Sequence, residues 1–180
     1  MTSSAGVYHH LEHYRGGQVI QTVTAVMRDT ASKSVGTQAT WEFADFPISI
    51  ALSKPSNLIL VTGFISIAIN GGAQNVRVGI RRATSNVNGA MGGATGFGSA
   101  KGNRRACHSE TMHNGSFGIS SVPIHFIDAP NSTAMQRYYP QFSHGSSGTR
   151  TIYINRSESD SDNAEKGRCI SIMTAQEIVT

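Results

Sequence analysis

Beyond residue 18 the chain alternates apolar and polar positions in short runs, each closed by Gly, Asn, Ser or Pro. From Val19 the run VIQTVTAVM is followed by WEFADFPISIAL, LILVTGFISIAI and NVRVGIRR, all rich in the β-branched residues that favour strands. In NVRVGIRR, Val76, Val78 and Ile80 alternate with Arg77, Gly79 and Arg81, which predicts a strand with one buried face and one basic face. LILVTGFISIAI, Leu58 to Ile69, barely alternates, as expected of a central strand covered on both sides. The runs resume with FGISSVPIHFID, RYYPQF, TRTIYIN and CISIMTAQEI. No long stretch carries a helical period with caps. About eight strands at short spacing predict an all-β chain, an antiparallel β-sandwich of jelly-roll type.

Two segments fall outside this pattern. Residues 1–17 are rich in Tyr and His and are set apart by Gly16 and Gly17, which predicts an extended N-terminal arm ahead of a sandwich domain spanning residues 18–180. Residues 86–105, NVNGAMGGATGFGSAKGNRR, hold too few apolar residues to anchor an element and read as a long loop of the kind that carries recognition.

Composition adds limits to this picture. A length of 180 residues suffices for one domain with its own core, and 19 glycines with many Ser and Thr suit short strands and frequent turns. The longest apolar run is too short and too interrupted to span a membrane, and the N-terminus lacks the apolar core of a secretory signal. Membrane insertion is therefore not expected, nor is use of the glycosylation sequons at Asn114, Asn131 and Asn155. Cys107 and Cys169 are too few for a disulfide framework and read as small buried apolar residues.

The net charge of +4 is unevenly spread. Arg77, Arg81, Arg82, Lys101, Arg104 and Arg105 face only Glu110 in the middle of the chain, whereas the stretch from Arg156 to Lys166 is acidic. These regions could pair between subunits, or the basic one could meet an anionic surface. Nucleic acid is the less expected partner, because only Phe97 lies among the basic residues to stack on bases.

Tests for chemistry come out negative. There is no G-x-S-x-G elbow for a serine hydrolase; GFGSA and NGSFG both fail its spacing. His9, His10 and His13 have only Glu12 nearby as a further ligand type, and His108 and His113 stand apart, so no metal is expected. Read as a calcium loop, Asp160 and Asp162 fill two ligand positions but Ala164 falls where the third is needed. Turn capping by Asp160, Asp162 and Asn163 is the simpler reading. A carbohydrate-active enzyme would need two carboxylates across a cleft, and Glu158 to Glu165 crowd theirs on one turn. Neither catalysis nor a cofactor is expected.

The order of the remaining motifs is informative. GGQVIQTV near the start, FIDAP in the middle and TIYINRSESDSDNAEKGR followed by ISIMTAQEI at the end resemble a β-sandwich domain of fibre-like virion proteins of tailed bacteriophages, the tail-fibre and head-fibre proteins. The resemblance covers Gly16 to Thr180. Asp128 and Pro130 match the family's Asp-x-Pro turn, and Tyr153, Asn155, Arg156, Asp160, Asp162, Gly167 and Arg168 match its closing motif, which leads into a strand carrying Glu177. Cys169 stands where a small residue is common, and residues 86–105 look longer and more basic than usual.

The resemblance implies a homotrimeric protein of the virion surface. In that setting Asp128, Pro130, Asn155, Arg156, Asp160, Asp162, Gly167 and Arg168 are structural turn residues, with Gly167 supplying backbone freedom before the last strand. Tyr8, Leu11 and Tyr14 offer the contact area by which the arm would dock on another virion protein. Arg81, Arg82, Lys101, Arg104 and Arg105 are the candidates for touching host surface glycans. A tip or short fibre and a capsid decoration protein that stabilises the shell are the two placements to be separated.

Overall fold

The computed structural model describes residues 16–37, 39–71, 74–83, 107–113, 118–164 and 166–180. The arm residues Tyr8, Leu11 and Tyr14 and the loop residues Lys101, Arg104 and Arg105 lie outside the described residues. Eleven strands and no helix occur among the described residues: β1 (Val19–Met27), β2 (Ala31–Val35), β3 (Trp41–Glu42), β4 (Ile48–Ile50), β5 (Leu58–Ile69), β6 (Gln74–Ala83), β7 (Ser109–His113), β8 (Ser120–Asp128), β9 (Gln136–His144), β10 (Arg150–Ile154) and β11 (Ser171–Ile178).

The strands form two antiparallel sheets. The first runs β1-β11-β5-β10-β2, with β8 on the other edge of β5; the second runs β3-β9-β6-β7, with β4 also on β9. The twelve residues of β5 let one strand serve two partners on one edge, β11 along Leu58 to Phe64 and β10 along Ile67 to Ile69. The pairings are nested along the sequence: β1 with β11, β2 with β10, β3 and β4 with β9, β5 with β8, and β6 with β7. A long hairpin folded over on itself so that its two arms alternate between facing sheets is a jelly roll, as the strand pattern led one to expect.

The core lies between the sheets. Ile59, Val61, Ile65, Ile67 and Ile69 of β5 meet Val76, Val78 and Ile80 of β6 and Tyr138 and Phe142 of β9, all fully or almost fully buried. Trp41 packs its ring 5.2 Å from Phe43 and 5.3 Å from Phe142. These three rings belong to the buried core, and their tilt follows the geometry that aromatic pairs prefer.

Several sequence expectations change. WEFADFPISIAL is two strands, β3 and β4, separated by a turn ending in Pro47, which has no N–H for a ladder. The polar segments ASKSV and SETMH form β2 and β7, each paired with a single neighbour among the described residues. β6 has the expected buried face of Val76, Val78 and Ile80 and basic face of Arg77 and Arg81, but that basic face is not open at Arg81, which is 6% exposed. Cys107 and Cys169 are free thiols and only half-buried.

Candidate functional site

The loop from β10 to β11 carries the closing motif, and its organising residue is Asn155. Asn155 is fully buried and holds φ at 60°, a left-handed conformation that Asn tolerates better than most residues. Its side-chain nitrogen donates to the carbonyls of Met27 at 3.0 Å and Asp29 at 2.9 Å, and its side-chain oxygen accepts from the Ser171 hydroxyl at 2.7 Å. Its backbone N–H donates to Ser66 and its carbonyl accepts from Cys169. One side chain thus ties the β1–β2 turn to the start of β11, and such burial is incompatible with a glycan at this sequon.

The rest of the motif splits into a held part and an open part. The Arg156 guanidinium lies 4.5 Å above the Tyr153 ring and donates to the Ser32 hydroxyl at 3.3 Å. Arg168 grips Asp160 through two N–H donors, at 3.1 and 2.9 Å, and this pairing holds the Asp160 carboxyl below its usual range. Lys166 donates to the hydroxyls of Ser159 and Ser161, each at 2.7 Å. Asp162 is exposed and lines an open polar hollow with Asp160, Ser161, Asn163, Lys166 and Arg168. Gly167 does not take a left-handed conformation, and a Cβ there would meet open space, so it is not the residue supplying backbone freedom. Asn155 and, beside Pro130, Asn131 with φ at 53° are the non-glycine residues in the left-handed region among the described residues.

Asp128 is buried at the end of β8 and is more than a turn residue. It accepts from the Tyr138 hydroxyl at 2.7 Å and from Arg82 at 2.8 Å, which joins the first sheet to β6 and β9 of the second. Burial, then the Asp128 bond, push the Tyr138 phenol far up. Arg81 donates to Glu42 at 2.5 Å, and Glu42 also accepts from Gln141 at 2.9 Å. Of the expected surface-recognition residues, Arg81 and Arg82 are therefore engaged within the fold: a buried guanidinium needs a partner carboxylate, and these strands supply one to each.

Two polar centres were not foreseen. Glu177, 1% exposed on β11, accepts through Oε1 from the Ser53 N–H at 2.7 Å, the Ser53 hydroxyl at 2.6 Å and Asn57 at 2.7 Å. His108, just before β7, accepts through Nε2 the backbone N–H of His125 on β8 at 3.0 Å and sets its ring 5.8 Å from Phe126, edge to face. It thereby links the two sheets at their open edges. The sequence signals for Glu177 were its place in the strand after the closing motif and an acid at an inward position of an otherwise apolar alternation; neither gave it a role. None existed for His108.

Chemically, each buried carboxylate described here is saturated by donors from neighbouring strands, an arrangement that fixes geometry. Among the described residues no group of three or more His, Cys, Asp or Glu is placed to hold a metal ion. No protein-family profile and no curated protein sequence matches the chain. Among solved structures it is similar to a chain of infectious bursal disease virus, Gx strain, at 9% identity and TM-score 0.44, covering 99% of this chain and 47% of that one. It is similar also to a chain of the Gt strain, at 12% identity and TM-score 0.45, covering 99% of this chain and 43% of that one. The chain spans less than half the length of either. The strand pairing itself, and not this likeness, defines the fold.

Proposed function

We propose that the chain is a non-enzymatic structural protein of the virion surface, of the fibre type found in tailed bacteriophages. It assembles as a homotrimer and presents its loops to the host surface. The observation that carries this reading is the use made of buried and half-buried polar groups. Asn155, Asp128, Glu42 and Glu177 each join strands or loops distant in sequence, which makes a rigid scaffold. The sequence resemblance over residues 16–180 supplies the setting. Residues 1–15, with Tyr8, Leu11 and Tyr14, dock the domain on another virion protein, and Lys101, Arg104 and Arg105 are the remaining candidates for glycan contact.

The test is a reconstruction of gradient-purified particles, with mass spectrometry of the same preparation. The expected result is stoichiometric protein and trimeric density at a tail or head fibre. Density at every capsid joint instead assigns the decoration role, and absence of the protein from purified particles overturns the proposal. Deleting residues 1–15 is expected to leave a normally folded trimer that no longer joins particles. A truncated protein incorporating at wild-type occupancy rejects the docking role of the arm.

A further inference from the structure

The two outer faces of the sandwich differ in charge. On the first sheet, three cross-strand rows face away from the core: Val26, Ile172, Phe64 and Pro123; then Thr24, Thr174, Thr62 and His125; then Thr22, Gln176, Leu60 and Ile127. Leu58 and Ile178 continue the surface at one end. None of these positions is Asp, Glu, Lys or Arg. An ordinary solvated surface is about a quarter to a third charged, so a twelve-residue grid would carry about three or four such residues. The outward positions of β6 and β9, by contrast, include Arg77 and Arg137, both half-buried, and Arg81, which is buried against Glu42.

Where it is open, the uncharged face mixes apolar side chains, Val26, Pro123 and Ile127, with the polar Thr22, Thr24 and His125. Val26 is 40% exposed and Ile127 58% exposed, near opposite margins of the grid, and Ile170 beside it is 40% exposed. Absence of charge together with exposed Val, Pro and Ile side chains is the composition of an interface centre, where charged residues are depleted. We infer that the outer face of the first sheet, across β8, β5, β11 and β1, is the surface through which three copies of this chain meet. The inference rests on the trimeric reading above and names its surface.

Symmetry favours a second copy over an unrelated partner. Around a rotation axis each residue near the axis meets its own counterparts, so a charge placed there repels itself, whereas Thr hydroxyls and Val, Ile, Leu and Phe side chains do not. Four strands about 4.8 Å apart and about eight residues long at about 3.3 Å per residue give a face of roughly 500 Å² in projection. That is over half of the ~800 Å² that each partner contributes to a standard interface. An interface built this way does not depend on pairing the basic middle of the chain with the acidic late loop.

Light scattering at micromolar concentration, in 0.15 M and 1 M sodium chloride, tests this on the full chain, since about 1 M salt shortens the screening length to about 3 Å. The variants are Thr174→Arg at the centre of the face and Thr24→Arg on the edge strand β1, where Thr24 is exposed and an unfolding defect is not expected. Ser161→Arg, in the exposed late loop, is the control. The expected result is a wild-type trimer that survives 1 M salt, a threefold drop in mass for both face variants with unchanged circular dichroism, and a trimeric control. If Thr174→Arg fails to fold, Thr24→Arg decides alone. A wild-type trimer that both face variants retain, or one that falls apart in 1 M salt, overturns this surface and leaves the trimeric reading intact. A wild-type monomer overturns the trimeric reading and this inference with it.

Discussion

At the scale of single residues, Asn155 combines two demands that no other side chain meets together. Its φ of 60° costs an ordinary L-residue about 1 kcal/mol or more, and its amide satisfies two buried carbonyls and one buried hydroxyl. The two demands can be separated. Asn155→Gly keeps the backbone conformation but strands the partners, for an expected loss of about 3 kcal/mol. Asn155→Ala strands the partners and adds strain, for a further loss of about 1 kcal/mol. Urea unfolding of both variants reads the difference, and equal stabilities would mean that the left-handed backbone contributes nothing.

At the scale of elements, the glycines that matter are those on which another strand presses. Gly63, in the middle of β5 with φ at 144°, lies against the Ile172 carbonyl of β11, into which a Cβ would run directly. Gly63→Ala is therefore expected to cost about 3 kcal/mol, whereas Gly167→Ala, at ordinary φ and facing open space, stays within about 0.5 kcal/mol. Denaturant midpoints check both, and a tolerated Gly63→Ala would reject the close approach of β5 and β11. Read linearly, Gly167 has a backbone role and Gly63 only interrupts an apolar run, because spacing to a neighbouring strand is invisible in a linear pattern. Alternation served well where one face was apolar, as in VIQTVTAVM, and a largely apolar run served for LILVTGFISIAI; both are strands from first residue to last. Alternation failed on ASKSV and SETMH, polar edge strands defined by their partners and not by their own burial. It also placed Arg81 on an outward face without showing that Glu42, 39 positions earlier, lies on a strand near enough to pair with it. The turn role given to Asp160 and Arg168 was legible because both ends of that pair lie within eight residues.

At the scale of the whole molecule, two titratable groups, the buried Glu177 and the half-buried His108, make the sandwich less stable in acid, in two separate pH ranges. Burial pushes the Glu177 carboxyl up, but its hydrogen bonds to Ser53 and Asn57 outweigh this and hold it below the usual range. The stability it contributes is present above the unfolded carboxylate value of about 4.3 and is lost as pH falls through the lower folded value. His108 is pushed down, first by burial and then by neighbouring His125, and its Nε2 must stay unprotonated to accept the His125 N–H. In the unfolded chain this imidazole takes up its proton near pH 6.5, before the folded protein does, so its contribution is complete above about pH 6.5 and declines below it toward the lowered folded value. Urea midpoints followed from pH 8 to pH 3 are therefore expected to fall in a shallow stage that starts near pH 6.5 and a second stage below about pH 4. His108→Gln, which cannot become charged, flattens the first stage, and Glu177→Gln flattens the second while costing about 2 kcal/mol at neutral pH through its weakened bonds. A first stage that persists unchanged in His108→Gln would assign it to another histidine and would show that the link between β7 and β8 does not depend on the protonation of this ring.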